Sequence, residues 1–90
     1  MKVSIILVNY NSSALLRQCL KSIYEQTKEI SFEIIVVDNA SSDNSREIVC
    51  SEFSNVQLIK SAENLGFSRG NNLGASLAKG TYLLFLNTDT

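Results

Sequence analysis

The chain of 90 residues contains no histidine, no proline and no tryptophan, and it has only four glycines and two cysteines. Without histidine it lacks the commonest general base and the commonest nitrogen ligand for metals. Any bound metal ion must therefore be held by oxygen atoms, which favours Mg²⁺, Mn²⁺ or Ca²⁺ over Zn²⁺. The same absence excludes a Ser-His-Asp or Cys-His catalytic device.

Strong charge of either sign is also missing. The chain carries 8 Lys and Arg against 9 Asp and Glu, for a net charge of −1, and it has no basic run. Nothing in this balance indicates a nucleic-acid partner. Hydrophobic residues make up 44% and charged residues 19%, which is typical of a globular chain. The length predicts one domain, residues 1–90, with one modest core.

The cysteines and the first apolar run indicate a reducing setting. Cys19 and Cys50 lie inside helical patterns and form no CxxC pair, so we interpret them as buried free thiols, with a disulfide or a catalytic thiol as the alternative. The apolar run Val3–Val8 is too short for a membrane span, and no small cleavage-site residues follow it. A cytoplasmic location and no membrane segment are expected.

Four apolar runs predict buried strands, and three amphipathic patterns between them predict helices. The predicted strands are Val3–Val8, Phe32–Val37, Val56–Ile59 and Tyr82–Leu86. The predicted helices span about Leu15–Tyr24, Asn44–Phe53 and Asn71–Lys79.

Several residues suit the predicted helix ends. Asn44 and Glu47 have the spacing of a capping box, with Asp43 as an alternative N-cap. The polar stretch 61–70 is predicted to be a loop, and Gly80 suits the position just after the third helix.

The alternation of strands and helices predicts an α/β fold with a parallel sheet, strand order 3-2-1-4 and helices on both faces. The chain then reverses direction beside the first strand, and open sheets of this kind bind ligands at that point, outside the carboxyl ends of the strands. Polar clusters follow three of the strands there: Asn9-Tyr10-Asn11, Asp38-Asn39 and Asn87-Thr88-Asp89. We expect them to surround one site.

The polar residues at the strand ends narrow the chemistry. The turn after the first strand contains no glycine, although a dinucleotide site needs glycines there for the backbone to approach the pyrophosphate. This argues against a dinucleotide site, and no P-loop sequence occurs. Asp89 can offer a carboxylate to a hard cation whose other ligands are phosphate and water, and Asp38 can accept a hydrogen bond from a ligand. A diphosphate ligand with a polar head fits best. A non-catalytic α/β regulatory or interaction module, such as a receiver-like domain, stays open as an alternative. Receiver-like modules carry a pair of acids just after the first strand, whereas the residues there in this chain, Asn9 and Asn11, are neutral.

Taken in order, four segments resemble the N-terminal part of family 2 glycosyltransferases of the GT-A fold. They are Val3–Asn11, Ile35–Asp43, Asn64–Asn72 and Gly80–Thr90. The third segment is most similar to the rhamnosyltransferase-like branch. The resemblance covers essentially the whole chain and implies an open Rossmann-like sheet that forms the N-terminal half of a GT-A fold.

The resemblance also implies a nucleoside-diphosphate sugar as donor, UDP- or dTDP-linked, transferred with inversion to an acceptor hydroxyl. By position, Asp38 would bind the base end of the nucleotide, and Val8, Asn9 and Tyr10 would line the same pocket. The other residues implied near the nucleotide are Arg69, Asn71 and Asn72. Each has a plainer explanation: Asp38 could cap a turn, Tyr10 could shape one, Arg69 could be a surface charge, and Asn71-Asn72 could cap a helix.

The metal site and the reaction are implied in the same way. Asp89 matches the second acid of the family's DxD motif, which holds a divalent cation (Mg or Mn) and the diphosphate, and Asn87 stands where the first acid would be. The family's base lies beyond this motif, so no catalytic residue is assigned, and the chain is expected to be a truncated donor-binding part that does not transfer sugar alone. An exposed fourth strand would favour a homo-oligomer.

Overall fold

The computed structural model describes residues 2–88. The strands are β1 (Val3–Asn9), β2 (Phe32–Asn39), β3 (Gln57–Ser61) and β4 (Tyr82–Asn87), and the helices are α1 (Ser13–Gln26), α2 (Ser45–Glu52) and α3 (Gly66–Leu77). All neighbouring strands pair in parallel in the order β3-β2-β1-β4. The predicted fold class and strand order are therefore confirmed, with β1 at the centre of the sheet beside β2.

The two faces of the sheet bury two separate apolar clusters. Side chains alternate between the faces along each strand, so Ile5 and Leu7 point to one side of β1 and Ile6 and Val8 to the other. The first pair packs with β2, α1 and α2 residues in one cluster, and the second pair packs with β2 residues and α3 in the other. Burial on both faces explains why β1 and β2 read as nearly continuous apolar runs.

Helix α3 begins at Gly66, five residues before the predicted start at Asn71, which corrects both the predicted loop and the reading of Asn71-Asn72 as an N-cap. Gly70 and Gly74 lie one turn apart on the buried side of the helix. A Cβ atom would come within 3.0 Å of Val8 at Gly70 and within 2.6 Å of Ile6 at Gly74. Close packing against β1 therefore offsets the low helix propensity of glycine.

Gly80 has a different role from the one predicted. Helix α3 ends at Leu77 with Ala78 as its C-cap, so Gly80 is not the residue that terminates it. A Cβ atom at Gly80 would lie 2.5 Å from the Ser4 backbone nitrogen, and the Gly80 N–H donates a 2.7 Å hydrogen bond to Ser4 Oγ. The glycine therefore lets the chain entering β4 pass directly against β1.

At the start of α2, Asp43 is the residue that supplies a carboxylate. Asn44 occupies the N-cap position but makes no side-chain capping bond, so the predicted capping box does not form. Asp43 Oδ1 instead accepts hydrogen bonds from the backbone N–H and the hydroxyl of Ser45. The cysteines are free as predicted, but only Cys19 is partly buried; Cys50 lies on the exposed side of α2.

Strand β4 lies at the edge of the sheet, and in the described part of the chain residues 82–85 are only about half covered on either face. Tyr82 is 61% exposed, and Leu83, Leu84 and Phe85 are each close to half exposed. A strand with apolar side chains on both faces has the composition of a buried strand, not of a solvated edge. Self-association through this edge stays a prediction.

Candidate nucleotide site at the strand ends

Buried polar side chains collect at the carboxyl ends of the strands. The sheet pairs Asn9 with Asp38 and Asn39 with Ser61, so these ends lie side by side. Asn9, Asp38 and Asn39 are at most 2% exposed. Thr88, just after β4, is also buried. Buried polar groups require partners, and the partners of Asp38 define the architecture of this edge.

The Asp38 carboxylate accepts four hydrogen bonds from three segments. Oδ1 accepts from Asn9 Nδ2 at 3.0 Å and from Ser41 Oγ at 2.6 Å. Oδ2 accepts from the Ser41 backbone N–H at 3.0 Å and from Arg46 Nε at 2.6 Å. An ionised carboxylate has about four lone-pair positions, so these donors use all of them. A ligand that bonds to Asp38 must displace one of these donors.

Burial and hydrogen bonding act in opposite directions on Asp38. Burial alone would raise the pKa of the carboxyl, but the hydrogen bonds from Ser41, Arg46 and Asn9 outweigh it and hold the pKa below its ordinary value. The carboxylate is therefore ionised at neutral pH although it is almost completely buried. Sequence reasoning missed Arg46 and Ser41, because nothing in a helix-start pattern shows that their side chains point back toward β2.

The loops after β1 and β2 are held together by side chains. Asn11, in the left-handed region at φ 50°, accepts hydrogen bonds at Oδ1 from the backbone N–H groups of Ser42 and Asp43. Asp43 Oδ2 accepts from the backbone N–H of Ser13, the first residue of α1. Burial would raise the pKa of Asp43, but its hydrogen bonds from Ser45 and Ser13 lower it overall. One carboxylate thus stabilises the starts of both α1 and α2.

The predicted site residues divide between the two faces of the sheet. Asn9 and Asp38 continue the alternation of the face that packs against α1 and α2. Val8 and Asn39 belong to the opposite face, where Gly70 of α3 approaches both of them. The two pairs therefore lie on opposite faces of the sheet at the strand ends.

A cleft of about 290 Å³ lies on the α3 side of these strand ends. Its walls come from β1, β2, the first turn of α3 and the segment after β4. The lining residues are Val8, Tyr10, Ser12, Asn39, Asn64, Gly66, Phe67 and Thr88. Clefts of about 460 and 480 Å³ lie elsewhere, one between α1 and β4 and the other near the amino end of β2, but neither contains the polar strand ends of β1 and β2.

The first turn of α3 closes the cleft. Asn64 Oδ1 accepts the Gly66 N–H at 2.9 Å, and Gly66 takes a φ of +76°, which favours glycine. Asn39 Nδ2 donates to the Gly66 carbonyl at 3.1 Å, which fixes the orientation of the Asn39 amide. The N–H groups at the start of a helix have no partner within the helix, so this end of α3 favours an acceptor or an anion.

Three buried amide oxygens have no hydrogen-bond partner in the described residues: those of Asn9, Asn39 and Asn71. The Asn39 oxygen is the one that belongs to a residue lining the cleft. An unpaired buried acceptor is costly, so this oxygen is a candidate for binding a ligand hydroxyl or N–H.

The remaining predicted residues lie on or beyond α3. Arg69 and Asn72 are exposed on α3, Asn71 is half-buried, and none of them lines the cleft. Asn87 is the last residue of β4, and Asp89 lies outside the described residues. Roles of the predicted residues toward a nucleotide or a metal stay predictions.

Residues 2–88 contain no group of three or more His, Cys, Asp or Glu side chains placed to hold a metal ion. None of the helices described is long and apolar enough to cross a membrane.

The lowered pKa of Asp38 predicts a specific acid dependence. Because the folded chain binds this proton less readily than the unfolded chain, the stabilisation is fully present above the ordinary value of 3.8 and is lost as pH falls through the lower folded pKa. Asp38→Asn should flatten this part of the acid dependence and lower the free energy of unfolding near neutral pH by about 2–3 kcal/mol, since Arg46 loses its partner. Urea unfolding over a range of pH measures both effects.

Glu29→Gln, which removes an exposed carboxylate before β2, is the matched control and should keep the acid dependence of the original chain. If Asp38→Asn shows that same dependence, Asp38 is not an ionised group held by the fold.

Comparison with known proteins agrees with this geometry. The family model for Glycosyl transferase family 2 matches residues 4–90. Glycosyltransferase GlyA of Streptococcus pneumoniae is 40% identical over 91 residues, which cover 98% of this chain and 13% of GlyA.

Two solved structures have the same fold. The structure of S. aureus TarS 1-349 in complex with UDP has a TM-score of 0.90 at 30% identity, over 99% of this chain and 28% of that one. Mannosyltransferase PcManGT from Pyrobaculum calidifontis, in complex with GDP-Man and Mn2+, has a TM-score of 0.86 at 26% identity, over 98% of this chain and 27% of that one. This chain therefore spans less than a third of each of these proteins. None of the three is named a rhamnosyltransferase, so that branch stays a prediction.

The strand order, the polar strand ends and the family model, which spans all but the first three residues, lead to the same conclusion: the chain belongs to glycosyl transferase family 2 and has the fold of the N-terminal part of a GT-A domain.

Proposed function

We propose that this chain forms the nucleotide-binding part of a glycosyltransferase that transfers a sugar, with inversion, from a UDP- or dTDP-linked donor to an acceptor hydroxyl. The cleft between the carboxyl end of β1 and the start of α3 carries the proposal, because it lies where open α/β sheets bind their ligands. The UDP complex of TarS supports a nucleotide as the ligand.

The size and walls of the cleft suit a nucleoside. Ligand pockets usually enclose about 300–1,000 Å³, so 290 Å³ suits a base with its ribose better than a complete nucleotide sugar. Tyr10 is 50% exposed and Phe67 is 48% exposed, and aromatic rings of this kind offer stacking surfaces for bases. The diphosphate would extend past Thr88 toward the DxD-like segment.

Both hydrogen-bond acceptors and hydrogen-bond donors lie beside the cleft. The unpaired Asn39 oxygen can accept a hydrogen bond from a ribose hydroxyl or a base N–H. The first-turn N–H groups of α3 and the positive end of its dipole favour a phosphate oxygen. Arg69, exposed on α3 with Asn71 and Asn72 close by in the helix, would add positive charge near the nucleotide, as the family resemblance implies.

Asp38 and Asn9 do not line the cleft, so they would contact the base across the strand ends beside Val8, as the family resemblance implies. Uracil and thymine carry an N–H at ring position N3, and an ionised carboxylate can accept it. The contact requires the ligand to replace one of the four donors that now hold Asp38. Such an exchange discriminates against a base with a ring acceptor, since that base would face the carboxylate without a proton to donate.

Base discrimination tests the proposal. UDP and dTDP should bind at least about tenfold more tightly than CDP, because cytosine N3 is an acceptor and the mismatch leaves a buried polar group unpaired at a cost of about 1–3 kcal/mol. Calorimetric titration of the chain with UDP, dTDP, CDP and NAD, with and without Mn²⁺, measures this. Equal affinity for CDP would contradict the base contact, and tighter binding of NAD would favour a dinucleotide site. Failure of a folded sample to bind any nucleoside diphosphate would overturn the proposed function.

We also propose that a divalent cation, Mg²⁺ or Mn²⁺, binds with the diphosphate at Asp89 and Asn87. PcManGT was solved with Mn2+, and oxygen ligands are the ones that such hard cations prefer. The described residues offer no group of three acidic, histidine or cysteine ligands, so the phosphates and water would complete the coordination. When bound, the cation would neutralise charge that develops on the departing diphosphate.

Two isosteric exchanges test the metal proposal. Asn87→Asp adds a carboxylate and should raise the affinity for Mn²⁺ in the presence of UDP by about tenfold, whereas Asp89→Asn should lower it by a similar factor, since ligand charge sets the affinity of such sites. Calorimetric titration of Mn²⁺ into the UDP-saturated chain measures both. Asn55→Asp, which adds the same charge to the exposed α2–β3 connection, is the control. Equal Mn²⁺ affinity in all the variants would sink the assignment.

A further inference from the structure

Arg46, on the first turn of α2, joins the carboxyl ends of two strands. Its Nε donates to Asp38 Oδ2 at 2.6 Å, and its Nη2 donates to the carbonyl oxygen of Ser61 at 2.8 Å. Asp38 belongs to β2 and Ser61 ends β3. The guanidinium side chain is 32% exposed while the carboxylate is 1% exposed, so the pair lies mostly out of solvent.

We propose that Arg46 is a positioning residue of the nucleotide cleft, which it shapes through the buried Asp38 carboxylate without touching the ligand. The inference rests on the proposed nucleotide function. It assigns a role to a residue that neither the cleft lining nor the sequence resemblance includes.

Arg46 is connected to the cleft through Asp38 and Asn9, whose neighbours in the chain line the cleft. Asp38 directly precedes Asn39, whose amide lines the cleft. Asp38 also holds the Asn9 amide at 3.0 Å, and Asn9 lies between Val8 and Tyr10, both of which line the cleft. A displacement of the carboxylate therefore moves the floor of the cleft at two strands.

Arg46 is the charged side chain that bonds to Asp38, and it lowers the pKa of the carboxyl together with Ser41 and Asn9. Besides Arg46, the charged groups near it are Asp43 in the following loop and Lys60, its register partner on β3. Asp43 is repelled by Asp38 and cannot stabilise its charge, and Lys60 is exposed. Its contact on β1, Asn9, is neutral.

Removal of Arg46 would take away one of the hydrogen bonds that counteract burial and would therefore raise the pKa of Asp38. A protonated carboxyl cannot accept from all of its present donors, so the network would loosen as pH falls. The original chain keeps its carboxylate ionised, so the pH dependence of its UDP binding from neutral pH down to about pH 5 should come from the terminal phosphate of UDP, whose second pKa is about 6.

The test compares Arg46→Met, Arg46→Lys and Arg17→Met. Arg17 makes a two-point pair with Glu52 between α1 and α2, with both side chains more than 40% exposed, so its loss is a matched control away from the cleft. Arg46→Met should bind UDP about tenfold more weakly near neutral pH, and its affinity should fall more steeply than that of Arg17→Met as the pH is lowered. Arg46→Lys keeps the charge but not the planar fork, so it should bind more weakly at all pH values without the added pH dependence.

Calorimetry with UDP and the NMR titration of the Asp38 carboxyl carbon measure the two consequences. An Arg46→Met variant that binds UDP with the affinity and pH profile of Arg17→Met overturns the proposal. If Arg46→Met does not fold, Arg46→Lys decides, since unchanged UDP affinity in that variant would show that the bridge to Ser61 is not needed.

Failure of the proposed function gives a different result. If the original chain binds no nucleotide, that function is wrong, and the carboxyl titration still reports whether Arg46 controls Asp38. An Asp38 carboxyl that titrates at the same pH with and without Arg46 contradicts the electrostatic half of the inference in either case.

Discussion

The structure depends on one buried carboxylate. Asp38 lies at the end of β2 and accepts hydrogen bonds from β1, from the loop that follows β2 and from α2. Arg46 extends this network to the end of β3. A charge that is 1% exposed is stable only when its partners are fixed, so the three strand ends and the start of α2 must keep one arrangement. That arrangement forms the floor on which the candidate site is built.

The two faces of the sheet have different roles at the carboxyl ends of the strands. On the α1–α2 face, Asp38, Asn11 and Asp43 fix the loops through bonds within the protein. On the α3 face, Asn39 keeps an unpaired oxygen beside a cleft that exposed aromatic rings flank. Polar groups already satisfied by the protein give rigidity, and groups left unsatisfied are available to a ligand. A rigid floor beneath an open cleft is what binding without large rearrangement requires.

The sequence predicted the sheet because its signals are local and periodic. Apolar runs separated by helical patterns fix a parallel sheet, and the apolar character of Val3–Val8 indicates its central position. The segment from Asn64 to Gly70 was harder, because glycine, serine and asparagine usually indicate loops. Its helix is stabilised by close contact of Gly70 and Gly74 with β1, which no local propensity contains. The spacing of Gly66, Gly70 and Gly74 by four residues was the available signal.

The position of the candidate site at the strand ends was predicted, but the hydrogen bonds that hold its residues were not. Strand-end position placed Asp38 and Asn9 together, but it did not reveal the four internal donors that hold the carboxylate, one of which a ligand must replace. Arg46 could not be identified, because its role depends on the direction of a long side chain across two strands. Such contacts arise from tertiary packing, which single-sequence patterns do not encode.

Amide NMR spectra of the labelled chain, recorded during titration with UDP, test the central claim most directly. The largest shifts should fall in three separate segments, residues 8–12, residue 39 and residues 64–67, because only the fold brings these together around the cleft. Shifts concentrated at Leu15, Cys19 and Leu84, around the apolar cleft between α1 and β4, would contradict it.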